Sequence, residues 1–508
     1  MLAKLFGKKS DHPMSDLKSA QGLLAELPHN DDYKSLMELT DWMESVSSNS
    51  EFKLEHQLAL VCMIDEASYV HTRKLTREYF VEHELSQFQE NRLWLVLGNW
   101  YRRAREGYYT AFSRYCEGDK NSSLFKAKLP LLVARTLRAM TLELKFCCVR
   151  YAAIDRNHWN MLGVMYKHAE REQYLDTPIA LYPALPQQTT VKLEAGHLLA
   201  WYGCGVSSLT PLNMHITERV VAQYYAAVRV QNQPSVDSLF GFDLNAAVAP
   251  RRVNVDATLH PYMRFVGLAD MVPHLAKLLK ILEKNIVPDD LILGGDYEAA
   301  VVRQAVEHLH NFVTTLPQRR MPRRLTNINI KVVSGYNKIV DTTGVGLDSA
   351  SVSNWQIQDI SAIGFHAVLP EVGNRDVSIG QLLGIQAEGV GHWGVAVIRR
   401  LMRGENHQVH VGAEIISNQI VGVPLQVKGG GNAMQQLALW LYPKMGESVT
   451  EISLLMKSEA YQANCSYHTE LAGKQLLLLP IGMVQKNIDC DLVRFRVVEQ
   501  QSAGDDEE

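Results

Sequence analysis

The sequence predicts an α+β multidomain protein, in which an all-α N-terminal half precedes a β-rich C-terminal part. Apolar residues recur at helical spacing over about residues 50–172, with few glycines or prolines between them. Beyond Pro317 the apolar period changes to two, in short segments separated by Gly, Asn and Asp. With 508 residues the chain is also too long for one hydrophobic core, so several domains are expected.

Composition excludes several classes of protein. The net charge is only −4, which argues against a general polyanion binder, so any basic site must be local. The seven cysteines contain no CxxC pair and predict neither a disulfide framework nor a thiol-rich zinc site, as in a reducing compartment. No apolar stretch is long enough to span a membrane. We therefore expect a cytoplasmic protein.

The helical half divides into three segments by composition. Residues 1–30 are polar and are expected to form a flexible leader, and residues 31–174 a helical domain. Within this domain two segments match W-x2-L-G-x2-Y, the first-helix signature of tetratricopeptide repeats: Trp94, Leu97, Gly98 and Tyr101, then Trp159, Leu162, Gly163 and Tyr166. The downstream positions of that repeat do not follow. Two interpretations therefore stay open, a helical bundle and tetratricopeptide-like hairpins.

Residues 175–316 predict a second helical region. Proline-rich turns alternate here with helical patterns at about residues 216–230, 271–285 and 296–315. Asp296 stands where the last of these patterns starts and is expected to be its N-cap. Pro317 is expected to end the helical half.

The β-rich part predicts one small barrel and a further β domain. Short alternating segments of this length and spacing over residues 317–423 are typical of a small barrel. Residues 424–500 continue the pattern, and a second barrel, an oligomerisation surface and a domain with its own function all stay open for them. Residues 501–508 form an acidic tail that we expect to be disordered.

A cluster of arginines stands at the entrance to the first β segment. Four arginines occupy six positions just before an apolar/polar alternating run: Arg319, Arg320, Arg323 and Arg324. About 35 residues later the pattern D-x-S-x-x-G is formed by Asp359, Ser361 and Gly364, and a later strand carries Val411, Gly412 and Glu414. Each pattern alone has little specificity. Their order within one barrel-like segment makes the combination more specific.

In these residues the sequence resembles the PilZ domain, a bacterial receptor module for cyclic di-GMP. The resemblance covers about residues 317–423 and implies a six-stranded β-barrel with an R-x-x-x-R motif entering its first strand. It implies that the four arginines, Asp359, Ser361 and Gly364 bind the ligand. Both Arg320 with Arg324 and Arg319 with Arg323 fit the motif. The first pair is favoured because Arg324 directly precedes the alternating run.

The chemistry of these side chains agrees with that implication. A guanidinium donates two parallel hydrogen bonds to guanine O6 and N7, or stacks on a base, or pairs with phosphate. A carboxylate at Asp359 can accept from guanine N1–H and the exocyclic amine together. Ser361 offers a small hydroxyl, and Gly364 allows a turn or close approach of the ligand. The alternative is that the arginines form a solvated linker.

No catalytic or metal centre is indicated. The pairs His308 with His310 and His407 with His410 have no third ligand in a zinc pattern, and neither a phosphate-binding GxxxxGK[ST] loop nor a G-x-S-x-G elbow occurs. The arginines lack interleaved aromatics, so nucleic acid is not expected as a partner. We expect a non-enzymatic cyclic di-GMP effector without cofactor or metal, with a protein partner on its helical half. The alternative is a ligand-independent helical scaffold with a degenerate barrel.

Overall fold

A computed structural model describes most of the chain. The described residues are 11–28, 30–81, 85–119, 125–183, 187–253, 259–315, 321–343, 352–372, 376–404, 406–427, 436–442, 450–487 and 489–500. They form two compact units, residues 1–317 and 318–508, and each is described by itself below.

The first unit is mainly helical. Its α-helices in the described ranges are Leu17–Ala25 (α1), Asp32–Ser48 (α2), Leu54–Val81 (α3), Gln87–Cys116 (α4), Leu129–Cys148 (α5), Arg156–Arg171 (α6), Val191–Gly203 (α7), Pro211–Tyr224 (α8), Val272–Leu282 (α9) and Ala299–Thr314 (α10). Helices α2, α3 and α4 pack on one another, and α5 packs on α4 and α7. Helix α5 is buried along most of its length and forms the centre of the unit.

Local sequence explains where several helices start. At the start of α4 the Ser86 hydroxyl accepts from the Gln89 backbone N–H, and the Gln89 side chain accepts from the Ser86 N–H in return. Helix α8 begins with Pro211 behind Thr210, whose hydroxyl accepts from the Asn213 N–H. These caps satisfy backbone donors that have no partner within the helix.

The expected cap at Asp296 is wrong. Helix α10 begins at Ala299, and its N-cap position is Glu298, whose side chain makes no capping hydrogen bond. Asp296 lies outside the helix and pairs instead with Arg77 of α3 at 3.0 Å. Asp296 is two residues too early to cap this helix, because a capping side chain belongs to the N-cap residue itself.

The two W-x2-L-G-x2-Y segments lie in different surroundings. Gly98 in α4 faces Phe146 of α5, and a Cβ at this glycine would be 3.9 Å from the Phe146 Cβ, an ordinary contact. Gly163 in α6 lies against the backbone of Leu244, where a Cβ would overlap the carbonyl oxygen. Only the second glycine is required by close approach, and its neighbour is a loop. A tetratricopeptide-like array therefore stays a prediction.

The first unit also contains strands that the sequence pattern did not indicate. Ile179–Ala180 (β1) pairs with Gln188–Thr189 (β2). Arg229–Gln231 (β3), Ser238–Asp243 (β4), Arg251–Arg252 (β5) and Met263–Gly267 (β6) form an antiparallel sheet in the order β3-β6-β4-β5. The strands are too short for an alternating pattern to be recognised against the turns around them.

The second unit consists of two closed six-stranded β-barrels. The first barrel contains Arg324–Ser334 (β7), Ser353–Ser361 (β8), Gly364–Pro370 (β9), Leu382–Ala387 (β10), Gly394–Arg403 (β11) and Gln408–Ser417 (β12). The second contains Ile420–Val427 (β13), Gln436–Leu441 (β14), Glu451–Lys457 (β15), Tyr467–Leu471 (β16), Lys474–Lys486 (β17) and Cys490–Glu499 (β18).

The two barrels share one topology. Numbered along each barrel, the strands follow the circular order 1-2-3-6-5-4 in both. The predicted fold class is confirmed, since a helical half over residues 17–227 is followed by six-stranded barrels. Of the three possibilities left open beyond residue 424, the structure contains a second barrel, which starts at Ile420.

A short helix, Tyr336–Thr343 (α11), joins the cores of the two barrels. It follows β7 and packs on β10 of the first barrel and on β13 and β14 of the second. The Tyr336 hydroxyl lies 2.7 Å from the Leu437 carbonyl oxygen and 3.2 Å from that of Leu455. Ile339 belongs to an apolar cluster that contains buried residues from both barrels. The barrels therefore form one packed unit.

Neither a membrane-spanning helix nor a metal-binding cluster is found in the residues that the structure describes. Among their helices, none is both long and apolar enough to cross a membrane. In the same ranges, no group of three or more His, Cys, Asp or Glu residues is arranged to hold a metal ion.

Candidate ligand-binding site

The arginine cluster leads into the first barrel, and two of its four members lie in the described residues. Arg319 and Arg320 lie outside them. Arg323 immediately precedes β7, and Arg324 is its first residue. Arg323 Nη1 donates to Asp359 Oδ1 at 2.7 Å, with 41% of the arginine side chain and 19% of the aspartate side chain exposed. The arginine cluster and the D-x-S-x-x-G motif thus meet at the barrel surface.

Strand register explains this meeting. Strands β7 and β8 are antiparallel, with Arg324 opposite Ile360 and Leu325 opposite Asp359. A bulge between Leu325 and Ile328 leaves the Leu325 side chain 91% exposed. The Arg324 side chain is exposed and makes no hydrogen bond or ion pair with the described residues. Both arginines are accessible, but only Arg323 contacts the motif.

Asp359 contacts a pair of histidines on its other side. His366 of β9 lies opposite Asp359 of β8, with its Nδ1 3.3 Å from Asp359 Oδ2. The other ring nitrogen, Nε2, is 3.2 Å from His410 Nδ1, and the two rings stack with centroids 5.4 Å apart. Burial first, and then the neighbouring His366, lower the pKa of His410. A neutral His410 can donate from Nδ1 to His366, while His366 donates to Asp359.

The stacked histidines are residues that sequence reasoning missed. His407 and His410 are close in sequence, yet His407 lies 3.2 Å from Glu371 while His410 pairs with His366. The signal that could have identified His410 was the alternation of buried and outward-facing residues along β12. Positions 410, 412 and 414 lie on the outer face of this strand, while Val411 is buried. Pairing of β12 with β9 was needed to bring His366 beside them.

Ser361 and Gly364 close the β8–β9 turn. The Ser361 hydroxyl donates to the Gly364 carbonyl oxygen at 3.1 Å. Gly364 lies opposite Glu414, and a Cβ on this glycine would overlap the carbonyl oxygen of Ala413 in β12. The glycine is therefore required by the close approach of a neighbouring strand. The serine hydroxyl is part of the turn as well as a possible ligand contact.

The V-G-x-E pattern formed by Val411, Gly412 and Glu414 lies in β12, beside this turn. Gly412 lies opposite His366 and beside Arg400, and a Cβ on it would be 3.2 Å from the Arg400 Cβ. Glu414 accepts from Arg399 Nε at 2.8 Å, and Arg399 also donates to Gln485 of the second barrel at 3.1 Å. The lack of a side chain at Gly412 and Gly364 therefore permits close packing of neighbouring groups on this side of the barrel.

The arrangement combines charge with planar hydrogen-bonding groups. Each oxygen of Asp359 has one partner, and each carboxylate oxygen can accept a second hydrogen bond. Arg323 and Arg324 offer guanidinium donors at exposed positions beside it. The site can therefore take a flat, anionic molecule that has both acceptors and N–H donors on one edge.

Comparison with known proteins adds information on a different segment. Residues 18–235 match the family model FimW_N, described as the N-terminal domain of the cyclic-di-GMP receptor FimW. The match covers less than half of the chain, lies in the helical unit and does not include the barrels. No curated protein and no solved structure matches the chain.

Proposed function

We propose that this protein is a bacterial cyclic di-GMP effector that binds its ligand on the first barrel, at Arg323 and Asp359. The contact between these two residues carries the proposal, because it joins the arginine cluster to the D-x-S-x-x-G turn. A second, separate line of support is the match of residues 18–235 to the N-terminal domain of a cyclic di-GMP receptor. These two lines of support concern different parts of the chain, and both favour cyclic di-GMP as the ligand.

Guanine recognition would use Asp359 and an arginine together. Guanine presents N1–H and an exocyclic amine on one edge and O6 and N7 on another. Asp359 would accept from the first edge through its remaining lone pairs. An arginine would donate to the second edge or stack on the base. The ligand phosphates would be paired by the remaining arginines of the cluster.

The register of the arginine motif is the first detail to resolve. The sequence favoured Arg320 with Arg324, because Arg324 directly precedes the alternating run. The Arg323–Asp359 contact instead supports Arg319 with Arg323, since the second arginine of that pair already lies at the motif. We propose the pair Arg319 and Arg323, and single alanine variants of all four arginines separate the two possibilities.

Binding would act through the segment that carries the arginines. This segment lies at the division between the two units at residue 317, so its contacts with a ligand would change the arrangement of the units or their contacts with a protein partner. We propose that the helical half provides the surface for that partner. Motility, adhesion and biofilm formation are the processes such a switch would control, and the proposal does not choose among them.

The same proposal includes several expected absences. The protein would bind cyclic di-GMP without turning it over, and would need neither a metal nor a further cofactor. It would work in the cytoplasm. The alternative, a ligand-independent scaffold with a degenerate barrel, predicts that the arginine cluster has no ligand.

Isothermal calorimetry of the full chain with cyclic di-GMP tests the proposal. Micromolar or tighter binding is expected for the wild type, and loss of at least about tenfold in affinity for Arg323→Ala and Asp359→Ala. Arg496→Ala, an exposed arginine on β18, is the matched control and should bind normally. Absence of heat with folded wild-type protein would favour the scaffold. Small-angle scattering with and without ligand tests the switch, and an unchanged profile at saturation would refute it.

A further inference from the structure

The helical unit contains a cavity with buried charges that the barrel site does not use. Its volume is about 390 Å³, and its walls come from α3, α4, α5, α8 and the segments at residues 181–182, 187–189 and 292–294. Small-molecule pockets commonly have volumes of roughly 300–1,000 Å³. The cavity is therefore large enough for a small metabolite.

The inner wall of the cavity carries a buried ion pair. Lys145 Nζ donates to Glu218 Oε2 at 2.8 Å, and the two side chains are 3% and 1% exposed. Lys145 Nζ is also 3.3 Å from His215 Nδ1, and burial lowers the pKa of His215 well below its usual value, so that this nitrogen can accept. The lysine ammonium has three N–H donors, and these contacts engage two of them. The third donor has no oxygen or nitrogen partner among the described residues, and the ammonium lies 5.9 Å from the centroid of the Phe80 ring.

Burying such a group costs free energy unless it is fully paired. The free energy lost on removing two charges from water is seldom recovered through their attraction. A protein with apolar residues of similar volume in their place is often more stable. A lysine with an unused donor at the wall of a cavity is therefore poorly explained by stability alone. A ligand acceptor that enters the cavity would supply the missing partner.

Cations outnumber carboxylates at the cavity wall, where Arg73, Arg138, Lys145 and Arg219 stand against Asp65 and Glu218. Arg138 is neutralised by Glu194 in a bidentate pair at 2.8 Å, and Lys145 is neutralised by Glu218. Arg73 lines the cavity and is exposed, and its side chain has no hydrogen bond or ion pair with the described residues. Arg219, whose side chain is 28% exposed, donates to the Ile292 carbonyl oxygen and lies 3.8 Å from the already paired Glu218. These two arginines remain for an anion.

Aromatic rings complete the lining. Tyr69 and Tyr182 lie on the cavity wall with their ring centroids 6.2 Å apart and their planes inclined by 40°. Tyr69 is 39% exposed, so its ring is accessible to a molecule that enters. Rings of this kind provide a stacking surface for a flat group at low entropic cost.

We infer that this cavity binds a small anion with a flat ring, of the size of a nucleoside monophosphate. The anionic group pairs with Arg73 and Arg219, the ring lies against Tyr69 or Tyr182, and polar atoms on the ring take the free donor of Lys145. This site lies within the helical unit and is independent of cyclic di-GMP binding by the first barrel.

Calorimetry of the full chain with AMP, GMP, CMP and UMP tests the inference, with the corresponding nucleosides as uncharged probes. At least one nucleotide is expected to bind saturably at one site. Its nucleoside should bind at least about tenfold more weakly, because the charge-assisted hydrogen bonds to the arginines are lost. Inorganic phosphate should also bind more weakly, since it lacks the ring.

Variants on α3 localise the binding. Arg73→Gln should weaken nucleotide binding by about tenfold or more. Arg77→Gln, one turn along the same helix and outside the cavity, should leave it unchanged. Asp359→Ala, which removes the barrel site, should also leave it unchanged. No saturable binding of any of the four nucleotides would overturn the inference, as would nucleotide binding that persists in Arg73→Gln but is lost in Asp359→Ala.

Discussion

Arg323 and Asp359 form an ion pair of 2.7 Å between the residue that precedes β7 and the end of β8. They are 36 residues apart in sequence and are joined by the antiparallel register of two neighbouring strands. His366 holds the other oxygen of the same carboxylate at 3.3 Å. The aspartate thus links the arginine segment to the stacked histidines of β9 and β12.

Removing the carboxylate charge should weaken ligand binding more than it weakens the fold. Asp359→Asn keeps the size of the side chain but replaces one acceptor oxygen with a donor, which guanine N1–H and its amine cannot use. We expect a loss of about 1–3 kcal/mol in binding free energy for cyclic di-GMP, measured by calorimetry. The pair itself is partly exposed, so stability should change by less than about 1 kcal/mol. Equal affinity in wild type and Asp359→Asn would exclude Asp359 from the site.

A side chain at Gly364 should destabilise the first barrel. A Cβ at this position would overlap the Ala413 carbonyl oxygen of β12, so the strands must separate. We expect Gly364→Ala to lower the free energy of unfolding by about 1–3 kcal/mol, measured by urea denaturation. Gly482→Ala on β17 is the control, because a Cβ there has no neighbour within 4 Å. Equal stability of the two variants would contradict the close approach.

The hydrogen bonds of the Tyr336 hydroxyl should stabilise the packing of the two barrels. It contacts the carbonyl oxygens of Leu437 and Leu455, and burial raises its pKa, so it remains a neutral donor. We expect Tyr336→Phe to cost about 1–2 kcal/mol of unfolding free energy. Tyr442→Phe, which removes a partly exposed hydroxyl, should change stability by less than about 0.5 kcal/mol. Similar losses in both variants would argue against a specific role for Tyr336.

Stability of the helical unit should fall in mild acid. Burial first, and the nearby Lys145 second, lower the pKa of His215 well below its usual 6.5. Below pH 6.5 the unfolded chain therefore binds a proton that the folded chain does not. The free energy of unfolding falls by up to about 1.4 kcal/mol per pH unit from this group, down to the folded pKa.

Urea denaturation followed by circular dichroism at several pH values between 7 and 5 measures this slope. His215→Asn should make it shallower, because the group that binds a proton in the unfolded chain and not in the folded chain is gone. The comparison is between the slopes of the wild type and the variant, so a constant loss of stability in the variant does not affect it. An unchanged slope in His215→Asn would assign the acid sensitivity to other buried histidines, such as His308.

Much of the fold could be predicted because the signals for it are local. Helical spacing of apolar residues along α3 to α6 and alternation along β7 to β18 depend only on which face of each element is buried. The sheet formed by β3 to β6 could not be predicted, because strands of two to six residues give no period to measure. The cap at Asp296 was wrong because the local pattern locates a helix start only to within a few residues, and the N-cap position of α10 is Glu298.

The sequence by itself determined the fold class, the entry of the arginine cluster into a small barrel and the D-x-S-x-x-G turn that follows it. These depend on periodicity and on the order of residues along one chain. Only the tertiary structure decided that Arg323 contacts Asp359, that His366 stacks on His410 and that Lys145 and Glu218 meet at a cavity wall. Each of these pairs is set by strand register, a bulge or helix packing, and such long-range geometry depends on every element between the partners.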